Sequence, residues 1–156
     1  MPLKDESEPI SDDEWLVRQV YVDRFRAHKV PFISPTAFQP RHKGNAPDED
    51  GISMFREACL EGHHEVLELI ADPEKRKKVG LVRVRVADLQ AIGLTVVSTS
   101  IERVRGHVSI PELSAEAWSD ADVARKKCRD WMDKIAELVS RSDGVVIDPT
   151  ENESGD

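Results

Sequence analysis

The sequence is poor in cysteine and aromatic residues and has no long apolar run. The few cysteines argue against a disulfide-rich or metal-binding protein, and the lack of a long apolar run argues against a membrane protein. Its two cysteines, Cys59 and Cys128, lie far apart in segments that both read as helical. We expect buried, reduced thiols, because such a pair is more often a pair of small hydrophobic residues than a disulfide or half a metal site. No stretch approaches the roughly 18 apolar residues of a membrane helix, so we expect no membrane association.

The sequence also lacks the short motifs that identify common enzyme classes. It contains no P-loop, no dinucleotide-binding glycine pattern, no Gly-x-Ser-x-Gly elbow and no HExxH. Cys and His residues do not occur at metal-ligand spacing, and the adjacent His63 and His64 would chelate an ion poorly from one helix. The sequence therefore predicts no cofactor and no metal. Only enzymes whose sites are assembled from dispersed residues stay open.

The net charge of −8 is concentrated at the two ends of the chain. Residues 1–14 hold six acidic side chains and one lysine, and residues 142–156 hold five acidic side chains and no base, which leaves the body at +2. The acidic N-terminus has no apolar segment of the kind found in secretory signals, so we expect a cytoplasmic protein. We expect disordered acidic tails at 1–10 and 149–156 around a single domain over 11–148.

The stretch 79–113 is predicted to organise the fold. Val82, Val84 and Val86 alternate with basic residues in the two-residue period of a strand. A helical turn and two more strands follow at 87–92, 94–98 and 108–110. These features predict an α+β fold in which a small mixed or antiparallel sheet is packed by helices.

Further elements are predicted on both sides of this stretch. Ser11 and Glu14 fit a capping box that would start a helix at Asp12. Residues 16–21 are rich in β-formers and would then form a strand, while Trp15, Val22 and Phe25 have the spacing of a helix, which is the alternative. A helix over 119–140 would carry one apolar stripe, formed by Ala124, Cys128, Trp131, Ile135 and Leu138. The other segments are a short strand at 51–55, an edge strand at 145–147, and a long irregular stretch at 28–50 whose first part, 31–38, is apolar enough to pack onto the body.

His107 is the most suggestive single residue for a functional site. It follows Gly106 and begins a strand from which its side chain could project into a cleft. Its imidazole would suit acid–base chemistry, and Arg18 could bind a phosphate or a carboxylate. Ser53 and Glu112 are the other candidates. Nothing in the sequence sets these residues within reach of one another, and a structural His107 bonded to backbone is the competing interpretation.

Six short stretches follow one another in a recognisable order between residues 15 and 113. They are LVRQV at 16–20, SPTAF at 34–38, GIS at 51–53, VRVRV at 82–86, GLTVV at 93–97 and HVSI at 107–110. This order resembles a class of small bacterial proteins of unknown function, although the sequence has Ser-Pro-Thr where Pro-Ser-Ser is expected and adds the helix at 119–140. The resemblance implies a bacterial cytosolic protein and no particular activity.

A second similarity is to small ADP-ribosyltransferase-like folds. It rests on an early arginine, a mid-chain serine and a late histidine before a strand, which here are Arg18, Ser53 and His107. Such a fold would also need a late Glu or Gln, for which Glu112 is the candidate. The similarity implies a nucleotide-type substrate.

Three functions follow, in order of support. The first is a non-catalytic accessory or interaction module that self-associates or binds a protein partner through Phe32, Ile33 and Phe38 or through the 119–140 helix. The second is a small enzyme with a nucleotide-type substrate in a cleft under the 31–53 loop. The third is a nucleic-acid-binding accessory protein, which is disfavoured because the body is nearly neutral and aromatic residues are sparse.

Overall fold

The fold is described by a computed structural model for residues 3–25, 32–40, 51–99, 105–119, 123–141 and 143–149. These residues form an α+β unit in which helices pack on a six-stranded sheet, which confirms the predicted fold class. The strands are β1 (Trp15–Tyr21), β2 (Ile52–Arg56), β3 (Val79–Arg85), β4 (Val97–Ser98), β5 (His107–Ile110) and β6 (Val145–Ile147). Their order across the sheet is β4-β5-β2-β1-β3-β6, and every pairing is antiparallel.

The strand predicted from the β-rich composition of residues 16–21 is present as β1, and it lies inside the sheet. β1 pairs with β3 over its whole length, from Trp15 opposite Arg85 to Tyr21 opposite Val79. With β2 it pairs only at its start, where Val17 lies opposite Phe55. Both faces of β1 carry buried side chains, which explains why its sequence does not alternate cleanly between apolar and polar residues.

Helices cover one face of the sheet, which we call the helical face. They are α3 (Val86–Ala91), α4 (Ala115–Ser119) and α5 (Val123–Val139). The long helix α5 buries Cys128, Met132, Ile135, Ala136 and Val139. The predicted stripe shares Cys128 and Ile135 with this set. The expected helix start at Ser119 already belongs to α4, and residues 120–122 lie outside the described part of the chain.

The opposite face, which we call the polar face, is packed by the segments between β2 and β3. A second apolar cluster forms there around Val17, Phe55 and Leu81, and it includes Val66 of α1 (His64–Leu67). The next helix, α2 (Pro73–Arg76), buries no side chain. Because side chains alternate along a strand, Ser53, His107 and Ser109 share this face with Phe55. None of the helices in the described residues is long and apolar enough to cross a bilayer.

The apolar part of the long irregular segment packs into the core of the helical face. Ile33 and Phe38 are 0% exposed, and the Ile33 N–H donates a hydrogen bond to Ser140 Oγ at the end of α5. Phe32 is half-buried and its ring lies edge-on to Phe25, with 5.8 Å between the centroids. Ile33 and Phe38, which the sequence suggested as contact residues, are therefore core side chains in this fold. Residues 41–50 lie outside the described part.

The N-terminal segment is fastened to the sheet by Arg56, whose side chain is completely buried. Its Nε and Nη2 donate to the two carboxylate oxygens of Glu14 at 2.8 and 2.9 Å. Its other bonds run to the backbone carbonyls of Glu6, Glu8 and Pro9 at 3.2, 2.9 and 3.3 Å. A buried guanidinium must find acceptors for its five N–H groups, and residues 6–14 supply them all.

This arrangement, which we call the Arg56 clamp, corrects two predictions about the N-terminus. Residues 3–10 are not a detached tail, because they contribute acceptors to the clamp and Lys4 donates its N–H to the Ala58 carbonyl. The predicted capping contact forms, with the Ser11 N–H donating to the Glu14 carboxylate at 2.7 Å, but it closes a turn and no helix follows. Glu14 faces Arg56 instead of starting a helix.

The Glu14 carboxylate predicts how the fold responds to acid. Burial raises the pKa of this group, but hydrogen bonds from Arg56, Ser11 and Lys4 outweigh burial and lower the pKa from 4.5 to about 2. Its ionised form therefore stabilises the fold fully above pH 4.5, and about 3 kcal/mol of stability is lost as the pH falls towards 2.

Urea denaturation at a series of pH values measures this loss directly. We expect Glu14→Gln to be less stable than the wild type at neutral pH, and to lack this part of the decline between pH 4.5 and pH 2. A wild type and a Glu14→Gln variant that lose stability in parallel over that range would contradict the role given to Glu14.

Candidate functional site

The structure brings together two of the residues that the sequence suggested as a site. Ser53 lies on β2 and His107 begins β5, and the pairing of these strands sets Ser53 opposite Ser109 and Phe55 opposite His107. The Ser53 and His107 side chains thus meet diagonally across the polar face, with Oγ 2.9 Å from Nε2. Neither side chain is fully buried.

The His107 ring is held on its other side by Thr99, which directly follows β4. Nδ1 lies 2.6 Å from the Thr99 carbonyl oxygen. A carbonyl can only accept a hydrogen bond, so in the neutral ring Nδ1 carries the proton and Nε2 carries the lone pair. Nε2 therefore accepts the proton of the Ser53 hydroxyl, which is the direction a general base needs beside a nucleophile.

The ring is fixed by its surroundings as well as by its two nitrogens. The Phe55 ring meets the imidazole edge-on, with the centroids 5.3 Å apart. Thr99 Oγ1 lies 2.8 Å from Nδ1 and 2.8 Å from Ser109 Oγ, and Ser109 is only 3% exposed. The network of polar groups thus spans β2, β5 and the end of β4 on one face of the sheet.

Arg18 supports Ser53 from the helical face rather than lying beside His107. Its Nη1 donates to the Ser53 backbone carbonyl at 2.8 Å and its Nε donates to the Ala37 carbonyl at 3.0 Å. The guanidinium also lies 5.8 Å from the centroid of the Phe38 ring. Because β1 and β2 stop pairing after Val17, Arg18 fills the space between the separating strands and bonds the serine's own peptide group.

Glu112 is engaged elsewhere. Its carboxylate accepts hydrogen bonds from the Thr95 N–H at 2.9 Å and from the Thr95 hydroxyl at 2.6 Å. This pair fastens the chain that follows α3 to the end of β5. The proposed combination of Arg18, Ser53, His107 and Glu112 is therefore reduced to Ser53 and His107, with Arg18 in a supporting position.

Other nucleophiles and metal ligands in the described residues offer no competing site. Cys59 and Cys128 are free and buried, as predicted, and burial raises the pKa of both thiols, which disfavours the reactive thiolate. His63 Nε2 lies 2.9 Å from Glu57, which also accepts from Arg83. In the ranges described, no group of three or more His, Cys, Asp or Glu residues is placed to hold a metal ion.

Thr99 and Ser109 were missed by the sequence analysis. Ser109 had a usable signal, because it lies two residues after His107 in a predicted strand and must share its face. No signal in the sequence pointed to Thr99, because its position beside His107 depends on how β4 aligns with β5. In the structure Val97 lies opposite Ser109.

Comparisons with protein-family models, with curated proteins and with solved structures found no match to this chain. The resemblance to small bacterial proteins and the similarity to ADP-ribosyltransferase-like folds therefore stay predictions.

Proposed function

We propose that the protein is a small hydrolase of ester-type substrates in which Ser53 is the nucleophile and His107 is its general base. The observation that carries this proposal is the 2.9 Å contact between Ser53 Oγ and His107 Nε2, with the Thr99 carbonyl fixing the ring proton on Nδ1. A serine hydroxyl is a weak nucleophile on its own, and a neutral imidazole held in this tautomer is what activates it. Arg18 is a positioning residue that holds the peptide group of Ser53.

The reaction proceeds in two balanced steps. Ser53 Oγ attacks the acyl carbon while its proton passes to His107 Nε2, and that proton then goes to the leaving oxygen as its bond to carbon breaks. Water next attacks the acyl group and gives a proton to Nε2. The bond to Ser53 breaks, and the same proton returns to the serine oxygen. Through both steps the Thr99 carbonyl accepts from Nδ1 and stabilises the imidazolium.

The sequence suggested a small enzyme with a nucleotide-type substrate rather than an ester hydrolase, and that enzyme would share Ser53 and His107 with this proposal. The interaction module and the nucleic-acid-binding protein have less support. Ile33 and Phe38, offered for a protein interface, are buried, and the large apolar side chains that are exposed in the described residues are scattered. They are Leu3, Tyr21, Val97 and Val123. Nucleic-acid binding would draw on a patch of basic residues that includes 75–78, 83, 85 and 125–127. Within it, Arg83 and Arg85 lie against the Trp15 ring and bond to other groups of the protein.

A fluorophosphonate probe tests the proposal, because it phosphonylates activated serines and releases fluoride. We expect the wild type to form an adduct at Ser53, located by peptide mass spectrometry. Ser53→Ala should abolish this adduct, and His107→Gln should slow its formation by roughly 100-fold, the lower end of what a general base contributes. Ser98→Ala is the matched control, since Ser98 is exposed on the neighbouring β4 and should leave labelling unchanged.

Two results would overturn the proposal. One is a folded wild type that gives no adduct at Ser53 at probe concentrations that label a known serine hydrolase. The other is a His107→Gln variant that is labelled at the wild-type rate.

A further inference from the structure

The hydrogen bonds of the Ser53–His107 pair continue through Thr99 to a buried serine. The Thr99 carbonyl and the Thr99 hydroxyl lie 2.6 and 2.8 Å from His107 Nδ1. The same hydroxyl lies 2.8 Å from Ser109 Oγ. Ser109 is 3% exposed, so bulk water cannot readily take its place beside Thr99.

The direction of the bonds at Nδ1 follows from the Thr99 carbonyl, which can only accept. Because the carbonyl requires a proton on Nδ1, the Thr99 hydroxyl cannot donate to that nitrogen. Either hydroxyl can donate in the contact between Thr99 Oγ1 and Ser109 Oγ, and with Thr99 as the donor its proton points away from Nδ1. As the acceptor of that bond, Ser109 holds the Thr99 proton away from His107.

Without an acceptor at position 109, the Thr99 hydroxyl can donate its proton to a different partner. It can turn and donate to Nδ1, which stabilises the ring form that carries its proton on Nε2. That form cannot accept the proton of Ser53, because the nitrogen facing the serine is already protonated.

We propose that Ser109 is a positioning residue for the general base: by accepting from the Thr99 hydroxyl it adds to the effect of the Thr99 carbonyl and favours the Nδ1-protonated form of His107. The catalytic meaning of this proposal rests on the proposed function, whereas the form of the ring is a property of the network itself. No other residue in the described network can accept a hydrogen bond from the Thr99 hydroxyl in place of Ser109, since Ser53 lies on the far side of the His107 ring.

Nitrogen-15 NMR of the neutral imidazole, recorded on the full chain, reads the two ring forms directly. We expect the wild type to carry the proton on Nδ1, and Ser109→Ala to shift a measurable fraction of it to Nε2. Adding Thr99→Val removes the hydroxyl that competes for Nδ1 and keeps the Thr99 carbonyl. The double variant Thr99→Val/Ser109→Ala should therefore return to the Nδ1-protonated form.

The labelling rate with the fluorophosphonate probe provides the second measurement. We expect Ser109→Ala to slow labelling of Ser53 about five- to tenfold, the size of one hydrogen-bond contribution. In the Thr99→Val background Ser109→Ala should have no further effect on the labelling rate, because the Thr99 hydroxyl that Ser109 contacts is gone.

If Ser109 only packed against its neighbours, Ser109→Ala would lower the unfolding midpoint without changing which nitrogen of His107 carries the proton. An unchanged ring form in Ser109→Ala, or a double variant that does not return to the Nδ1-protonated form, would overturn the proposal. If Ser53 is not labelled even in the wild type, the proposed hydrolase fails. The NMR result still decides the role of Ser109 in that case.

Discussion

Arg56→Met is expected to lower the free energy of unfolding by about 3–5 kcal/mol, which is a large share of the stability of a small domain. The substitution keeps the apolar volume of the side chain but removes all five donors of the Arg56 clamp. It leaves the Glu14 carboxylate, which is 6% exposed, without its main partner. It also strips acceptors in the N-terminal segment of their donor.

Urea denaturation followed by circular dichroism measures this loss. Arg56→Lys is a milder variant that keeps the charge but not the planar fork, so its stability should lie between those of Arg56→Met and the wild type. Arg83→Met is the matched control, because its side chain is 28% exposed and its ion pair with Glu57 is partly solvated. We expect it to cost no more than about 1 kcal/mol. Equal losses in Arg56→Met and Arg83→Met would refute the clamp.

Phe38→Ala is expected to destabilise the fold by about 3–5 kcal/mol, the usual cost of removing a buried phenylalanine. The Phe38 side chain is 0% exposed and is packed into the core of the helical face, and its ring contacts Arg18. The sequence offered this residue as part of an interface, in which case truncation would weaken an association and leave stability almost unchanged.

Thermal or urea denaturation distinguishes the two roles of Phe38. Phe38→Leu should lose much less stability than Phe38→Ala, because most of the buried volume is kept. Tyr21→Ala, at a side chain that is 55% exposed, should change stability by no more than about 0.5 kcal/mol. A Phe38→Ala variant as stable as Tyr21→Ala would contradict the core role of Phe38 and support the interface role.

Local patterns in the sequence predicted single elements such as β3, α3 and α5, although the stretch 79–113 supplies the outer strands β3, β4 and β5 and the centre of the sheet is formed by β1 and β2. The valines of β3 alternate because one side of that strand faces the helical core, and Gly93 has the positive φ that ends α3. The apolar residues of α5 could likewise be placed on one face, although its most buried positions include Met132 and Val139, which the predicted stripe omitted. These features depend on neighbours within one turn or one strand.

The clamp and the candidate site depend on residues far apart in the chain. Glu14 and Arg56 are 42 residues apart, and Ser53 and His107 are 54 apart. Ser53 and His107 could each be proposed from its local context, but their contact depends on how β2 aligns with β5. Gly51 helps to fix that alignment, because its φ of 108° and the nearby Ile110 carbonyl leave no space for a side chain. A sequence alone does not state such an alignment.

The Arg56 clamp also bears on the order in which the chain can fold during synthesis. The acceptors in residues 6–14 leave the ribosome before their donor, Arg56 in β2, and β3, the long partner of β1, comes later still. Most of the pairings that complete the sheet are therefore non-local, which favours slow folding. The clamp acceptors in residues 6–14 therefore have no donor until Arg56 has been synthesised.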